Sequence, residues 1–419
     1  MTEKKTGFQP NLAGRKRNGR IMARLFLAST IFAILCLGAL LFSIFNQTAG
    51  YVLVEYAASE ADVLPAQDDG NPKHLESLEK VELLALIDEN LGARRKKALD
   101  IEKPLDTRTD KELRDLIIAE VLQPKVIRTW LFFESILGRA HIFEWAAENA
   151  PEGTLTFRWW LSPAFLTASQ SSDALYAGVR SAIIGSLMTI ALTILVAFPI
   201  GLGAAIWLEE YAKANRINGI IKTNIYNLSG VPSIIYGMLG LGIFVRALEP
   251  FTSGALFGVT GGDAAGNGRT VLSAGLTLAL LILPTIIINA QEAIRAVPRS
   301  LRESGYALGA TKWQVIFHHV LPSSMDRILT GTVLAVSRGI GETAPLVLVG
   351  AATFLTRDPT SIFSRFTTLP IQIYQWTARP QAEFRNIAAA AIVILMILLL
   401  SLNSAAIILR NEFRSRKRG

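Results

Sequence analysis

Arg338 and Glu342 stand four residues apart in the apolar run 328–350, which carries no other charge, so on a helix they share one face. If that run crosses a bilayer, Arg338 lies about ten residues, or roughly 15 Å, from its inner end, near the midplane. A lone charge there costs between about 3 and 17 kcal/mol, so the pair must face protein or water. The planar guanidinium fork suits an oxyanion, and a nearby carboxylate can hold that fork in place or compete with the anion. The plain alternative is a salt bridge that only fixes helix packing. Gly339, Gly341 and Pro345 beside the pair permit close approach or bending. Ser229, Ser233 and Tyr236 form a polar stripe next to Pro232 in another apolar run. Ser233 is a candidate pathway residue beside Arg338 and Glu342, although such hydroxyls also serve helix packing.

A second constellation lies in the charged segment 292–322. It predicts a short helix begun by Pro298, a turn at Gly309, and a second short helix that Pro322 stops. Leu301, Tyr306, Leu308, Trp313 and Ile316 would be apolar knobs that a soluble motor could grip. An amphipathic loop on the lipid surface is the alternative.

Other chemistries find little support. The nearest approach to a phosphate-binding G-x-x-x-x-G-K-[ST] loop runs from Gly261 to Gly266 and continues with Asn267 instead of Lys. ATP hydrolysis therefore belongs to another chain. The single cysteine, Cys36, sits in an apolar run, and His74, His141, His318 and His319 lack metal-ligand spacing, so neither disulfide nor metal site is expected. No nucleophile–base set or acid pair suggests an enzyme, and no cofactor is expected.

The elements that must position these groups are membrane helices. Hydrophobic residues make up 51% of the 419, and five runs of about 20 or more carry no charge: 25–45, 181–208, 223–245, 271–291 and 387–409. With 328–350 they give six spans, lacking the two-residue alternation of a barrel. Lys4, Lys5, Arg15, Lys16, Arg17, Arg20 and Arg24 precede the first span, and Arg410, Arg414, Arg416, Lys417 and Arg418 follow the last. Both tails, 1–24 and 410–419, are therefore expected in the cytoplasm. The first run is long for a signal-peptide core and reads as an uncleaved anchor.

That topology puts 46–173 outside, ahead of a five-helix core, 174–409. This insertion holds 14 Lys and Arg against 22 Asp and Glu, so the net charge of +8 hides an acidic insertion and a basic remainder. The basic residues cluster at span ends, which sets orientation and argues against nucleic-acid binding. Within the insertion, 75–97 has Leu at helical intervals. In 110–121, Leu113, Leu116, Ile117 and Val121 share one helical face, with Thr109 as cap and Pro104 marking the break before it. A small helical domain or hairpin is expected there, packed against the membrane core or a partner, as a docking surface or an ornament.

The loop resembles the coupling loop of bacterial ABC importer permeases, whose usual form is Glu-Ala-Ala, three residues, Gly, nine residues, Ile, any residue, Leu-Pro. Glu303, Gly309, Leu321 and Pro322 fall at the matching offsets, while Ser304 and Gly305 replace the alanines and His319 the isoleucine. Pro199-Ile-Gly201, Ala205-Ile-Trp-Leu-Glu-Glu-Tyr211, Gly230-Val-Pro-Ser-Ile-Ile-Tyr-Gly237, Ala307-Leu-Gly-Ala-Thr-Lys-Trp313 and Ser337-Arg-Gly-Ile-Gly-Glu-Thr-Ala-Pro-Leu346 resemble the phosphate-importer permeases, in the form of the A-type (PstA-like) subunit. The resemblance covers about residues 160–410 and leaves the insertion outside it. It implies an all-α polytopic fold of the ABC importer permease type with a helical extracytoplasmic insertion, in the bacterial inner membrane. It implies a translocation role for Arg338, Glu342 and Ser233, and ATPase coupling through Glu303, Gly309, Ala310, Trp313, Leu321 and Pro322. The implied partners are membrane lipid, a homologous permease subunit, two ATP-binding subunits and an external phosphate-binding protein. Two readings compete: a gradient-driven anion transporter or channel, which needs no such loop, and a membrane-anchored receptor or scaffold working through 46–173.

Overall fold

The computed structural model describes residues 12–56, 63, 78–102, 104–259, 267–351, 355 and 358–415, so Gly261 to Gly266, Lys4, Lys5 and Arg416 to Arg418 lie outside the described residues. The chain opens with α1 (Leu12–Gln47), 36 residues without proline. No residue of its most apolar window is buried by the rest of the chain, as suits a helix facing lipid. The basic tail and first span expected as separate pieces are thus one helix from residue 12 onward.

The insertion follows. Three strands, β1 (Ala49–Tyr56), β2 (Pro124–Thr129) and β3 (Thr154–Trp159), form an antiparallel sheet in the order β2-β1-β3. The short helix α2 (Phe132–Leu137) leaves β2 on the side nearest α1. The expected helices exist: Lys80–Asn90 and Ala93–Glu102 cover most of the Leu-rich stretch, and Asp110–Ile117 buries Leu113, Leu116 and Ile117 together. The insertion also carries a sheet, which the expectation of a small helical domain or hairpin does not include. Its strands are only 8, 6 and 6 residues long, and β1 meets partners about 75 and 105 positions further on, a pairing that local periodicity does not carry.

One face of the sheet packs on the ends of the membrane helices, where Val52 and Val54 join Trp160, Phe165, Trp376 and Ile387 in one core cluster. At this junction burial pushes the Asp173 carboxyl up, against the opposing pull of the Leu175 N–H and of Arg158, and burial lowers the Arg158 guanidinium.

The membrane core is α3 (Arg180–Ile206), the bent pair α4 (Arg216–Ser229) and α5 (Ser233–Gly240), α6 (Val271–Arg295), the loop helix α7 (Arg299–Ala307), α8 (Leu321–Ile340), α9 (Ala344–Val349), α10 (Leu369–Thr377) and α11 (Ala382–Ser415). α6 is the central helix, with 72% of its most apolar window buried. It lies close against α3, where a Cβ on Gly201 would come within 2.7 Å of Ile286 and one on Gly275 within 2.6 Å of Leu192.

Among the described residues four helices are long and apolar enough to span a bilayer: Gly14–Gln47, Arg180–Tyr211, Val271–Arg295 and Ala382–Ile408. The pair Arg216–Ser229 and Ser233–Ala247 makes a fifth if counted as one span, bent by 102°. The third expected run, 223–245, is therefore two helices. Gly230 caps α4, and Pro232, which lacks an N–H, stands at the N-cap of α5, where no donor is needed. The fifth, 328–350, is likewise interrupted after Ile340, and α9 resumes with Pro345 in its first turn. The last span continues as helix through the basic segment expected to be a tail, as far as Ser415.

Candidate translocation and coupling sites

The loop is a pair of short helices around one tight turn. Pro298 caps α7, and Gly309 takes φ +79°, a left-handed conformation open to glycine. The Ala310 N–H donates to Gly305 O at 3.1 Å and closes the turn. Thr311 and Gln314 then make a capping box that starts the helix Lys312–Val315. At the tip Leu308 is 87% exposed and Trp313 58%, with the Trp313 and Phe317 rings 3.8 Å apart. Glu303 and Tyr306 are exposed beside them.

Three expectations change here. Ile316 is buried in the core and is no knob, and Leu301 is half-buried against the same core. Leu321 is buried too, so it supports the loop from beneath. Pro322 does not stop the second helix. A widened turn, Ile316–Val320, precedes it, the Leu321 N–H donates to Ile316 O, and Pro322 falls in the first turn of α8, where a missing donor costs little. Helical backbone therefore runs from Lys312 to Ile340.

What anchors the loop was missed from sequence. α3 ends in a widened turn, Trp207–Tyr211, closed by the Ala212 N–H donating to Trp207 O at 2.8 Å. Glu209 in that turn accepts from Arg295 at 2.7 and 3.3 Å and from Lys222 at 2.9 Å, joining α3, α6 and α4. Glu210 accepts from Arg302 at 2.9 and 3.1 Å, with side chains 8% and 18% exposed. The same guanidinium donates to Val297 O at 2.7 Å and Ile294 O at 2.9 Å, satisfying carbonyls where α6 gives way to α7. Lys312 sits 5.0 Å above the Tyr211 ring. A cleft of about 430 Å³ lies among these charges, with Arg299 and Glu303 on its wall. The available signal was the Glu209–Glu210 doublet closing an apolar run, against Arg295, Arg299 and Arg302 at helical intervals.

Arg338 and Glu342 are brought together, Nε to Oε1 at 3.5 Å, across the point where α8 ends. The Arg338 side chain is 57% exposed and that of Glu342 19% exposed, so within this chain the guanidinium faces outward. Its neighbour Ser337 donates to Asn403 Oδ1 at 2.6 Å and ties α8 to α11. Ser233 is half-buried in the first turn of α5 and, among the described residues, makes no hydrogen bond to the pair. The other two groups of the stripe serve the break: Ser229 donates to Tyr226 O at 2.7 Å and Tyr236 to Leu228 O at 2.8 Å. The two interrupted spans meet, since a Cβ on Gly237 of α5 would lie 2.7 Å from Pro345 Cα of α9. Among the described residues no group of three or more His, Cys, Asp or Glu is placed to hold a metal ion.

Residues 197–417, which contain both constellations, match the family described as binding-protein-dependent transport system inner membrane component. The chain is 31% identical over 225 residues to the probable ABC transporter permease protein YqgI of Bacillus subtilis, covering 51% of this chain and 71% of that one. It is 32% identical over 233 residues to the phosphate transport system permease protein PstA of Yersinia pestis, covering 55% and 72%. With the PstA homolog of Mycoplasma pneumoniae identity reaches 37% over 167 residues, 40% of this chain but only 24% of that one. Among solved structures, the MetNI methionine ABC transporter in an inward-facing conformation aligns with a TM-score of 0.41 and 19% identity, covering 58% of this chain and 99% of its own.

Proposed function

The chain belongs to the binding-protein-dependent transport system inner membrane component family, and from that membership and its likeness to phosphate permeases we propose that it forms half of the pathway of an ATP-driven importer for inorganic phosphate. It is a multi-pass protein of the bacterial inner membrane and a transport subunit, with ATP hydrolysis carried by a separate chain. The observation that carries the reading is the loop: an exposed aromatic and aliphatic tip on a base held by two carboxylates.

A motor that grips Leu308 and Trp313 moves a lever, because ion pairs and continuous helix tie the tip to the ends of the spans. Through Arg302 and Glu210 the displacement reaches the end of α3, and through Glu209 it reaches α6 and, by Lys222, α4. Through the helical run from Lys312 it reaches the end of α8, where Arg338 stands. α4 and α8 both lead to breaks, and breaks are where a helix changes direction at low cost. In this reading Arg338 offers its fork to a passing phosphate oxyanion, Glu342 orients the fork and competes for it, and Ser233 lines the path at the start of α5. Because the guanidinium faces outward from this chain, a homologous permease subunit supplies the other wall. Two ATPase subunits on the paired loops and an external phosphate-binding protein complete the assembly.

The test is purification from native membranes. An ATPase subunit should co-purify with the wild-type chain, and Trp313→Ala with Leu308→Ala should abolish both its retention and phosphate uptake while the protein still inserts. Full uptake in that variant would refute the coupling role.

A further inference from the structure

Outside the loop and the charge pair, the most continuous unexplained feature is a chain of aromatic rings where α1 leaves the apolar region. Phe42 stacks on Phe133 at 5.0 Å, and Phe45 meets Phe132 at 5.8 Å. Phe132 reaches Trp159 at 5.7 Å and Phe157 at 6.4 Å, and Phe157 and Trp159 meet at 6.2 Å. The Phe133 N–H donates to Asn46 Oδ1 at 2.9 Å, which fixes α2 against the last turns of α1. This cluster is not closed over. Leu137 is 85% exposed, Ile136 55% and Trp159 49%, and Phe133, Phe143 and Phe157 are also exposed.

We infer that this face of the insertion, α2 with the α1-proximal end of β3, is an in-plane membrane contact seated in the outer lipid–water interface. Depth follows from the residues. Phe42 lies five positions before Gln47, the last residue of α1, so its partner Phe133 sits roughly 7 Å inward from the helix end. That is within the 5–10 Å to which interfacial helices bury their apolar side. The strand register agrees: Trp159 pairs with Ala49, two positions beyond α1, whereas Thr154 pairs with Val54, about 17 Å further out.

The exposed rings and aliphatics therefore share the level of an aromatic belt. The occupant is lipid because the patch is continuous with α1, an apolar helix with no buried residue in its most apolar window, which a bilayer would surround. Arg139, at the edge, lays its guanidinium 5.4 Å from the Phe143 ring, as a snorkelling cation does. The inference rests on α1 spanning the membrane and is independent of the transported ion.

The full chain with Cys36→Ser, carrying a nitroxide at Leu137→Cys, Ile136→Cys or Glu152→Cys, is reconstituted in phospholipid bilayers. Collision rates with oxygen, which concentrates in lipid, and with a water-soluble nickel chelate are then compared. Labels at 136 and 137 should favour oxygen over nickel severalfold more than the label at 152, beyond the outer end of the sheet. Equal nickel access at 137 and 152 overturns the inference, because the face would then stand in water. Protection of 136 and 137 from both reagents overturns it too, because protein would then cover the face. Both test positions are exposed, so the substitutions leave the core intact.

Discussion

Arg302 offers the sharpest test of how the proposed coupling loop is held. Its guanidinium serves three acceptors at once: Glu210, Val297 O and Ile294 O. Arg302→Met keeps the length of the side chain and removes every donor. Glu210, 8% exposed, is then left as a nearly buried carboxylate without its partner. Breaking such a pair from one side costs about 3–5 kcal/mol. Glu210→Gln removes a charge but keeps an acceptor oxygen, and Arg302 retains both carbonyls. One weakened charge-assisted bond costs about 1.5–3 kcal/mol, so the lower end is expected there. The asymmetry is the informative quantity: the arginine should matter more than its own counter-ion. The assay is limited trypsin cleavage after Arg299 in native membranes, which reads local opening of the loop. A 3 kcal/mol loss raises the open population by about two powers of ten. Arg302→Met at wild-type cleavage rates, or no more labile than Glu210→Gln, would show that the carbonyl contacts contribute nothing and that the lever argument is wrong.

Four further outcomes are expected. Gly309→Val should uncouple ATPase stimulation from uptake at a backbone cost of about 1–3 kcal/mol, while Gly309→Asn, which tolerates a left-handed backbone, should retain most of both; equal loss in the two would point to the side chain and not the turn. Arg338→Lys should insert normally yet transport phosphate poorly, and Arg338→Ala with Glu342→Ala should recover folding without recovering uptake; uptake near wild type in the double variant, at equal abundance, would remove Arg338 from the pathway. Because burial raises the Asp173 carboxyl above its unfolded value, its contribution to stability is fullest below the unfolded pKa and is lost as pH rises through the folded one. Asp173→Asn, which keeps the acceptor for the Leu175 N–H, should therefore raise the melting temperature at neutral pH and flatten that slope; an unchanged slope contradicts it. Cysteine labels at Ser171 and Ser415, in a Cys36→Ser background, should react from opposite sides of the membrane, and reaction from one side would overturn the topology.

Legibility divided along physical lines. The spans at 25–45, 181–208, 271–291 and 387–409 could be read because a run of about 20 uncharged apolar residues is a property of composition alone. The helix face of Leu113, Leu116 and Ile117 and the turn at Gly309 were legible because each rests on residues a few positions apart. Pairings over long separations were not. β1 finds β2 and β3 across most of the insertion, and Glu210 finds Arg302 across 92 positions. Each partner looks ordinary by itself. The two interruptions fall between these cases. Proline alone does not mark them, since Pro199 and Pro284 lie inside unbroken helices. What sets the breaks apart is a glycine that ends the preceding helix, Gly230 two residues before Pro232 and Gly341 four before Pro345.

That pairing of glycine and proline bears on the charge pair. A broken helix leaves carbonyls and N–H groups that lipid cannot satisfy, so each break must lie against protein or water. The Tyr236 hydroxyl covers one such carbonyl, and α5 covers α9. Arg338 and Glu342 straddle the second break, where the backbone has already excluded hydrocarbon on one side. A guanidinium held there needs little added desolvation, and under the proposed pathway role its own half-exposed donors are what an anion would meet. The chain therefore has a physical reason to keep its charge pair and its interruption together, and separating the two effects is what the Arg338 and Glu342 variants do.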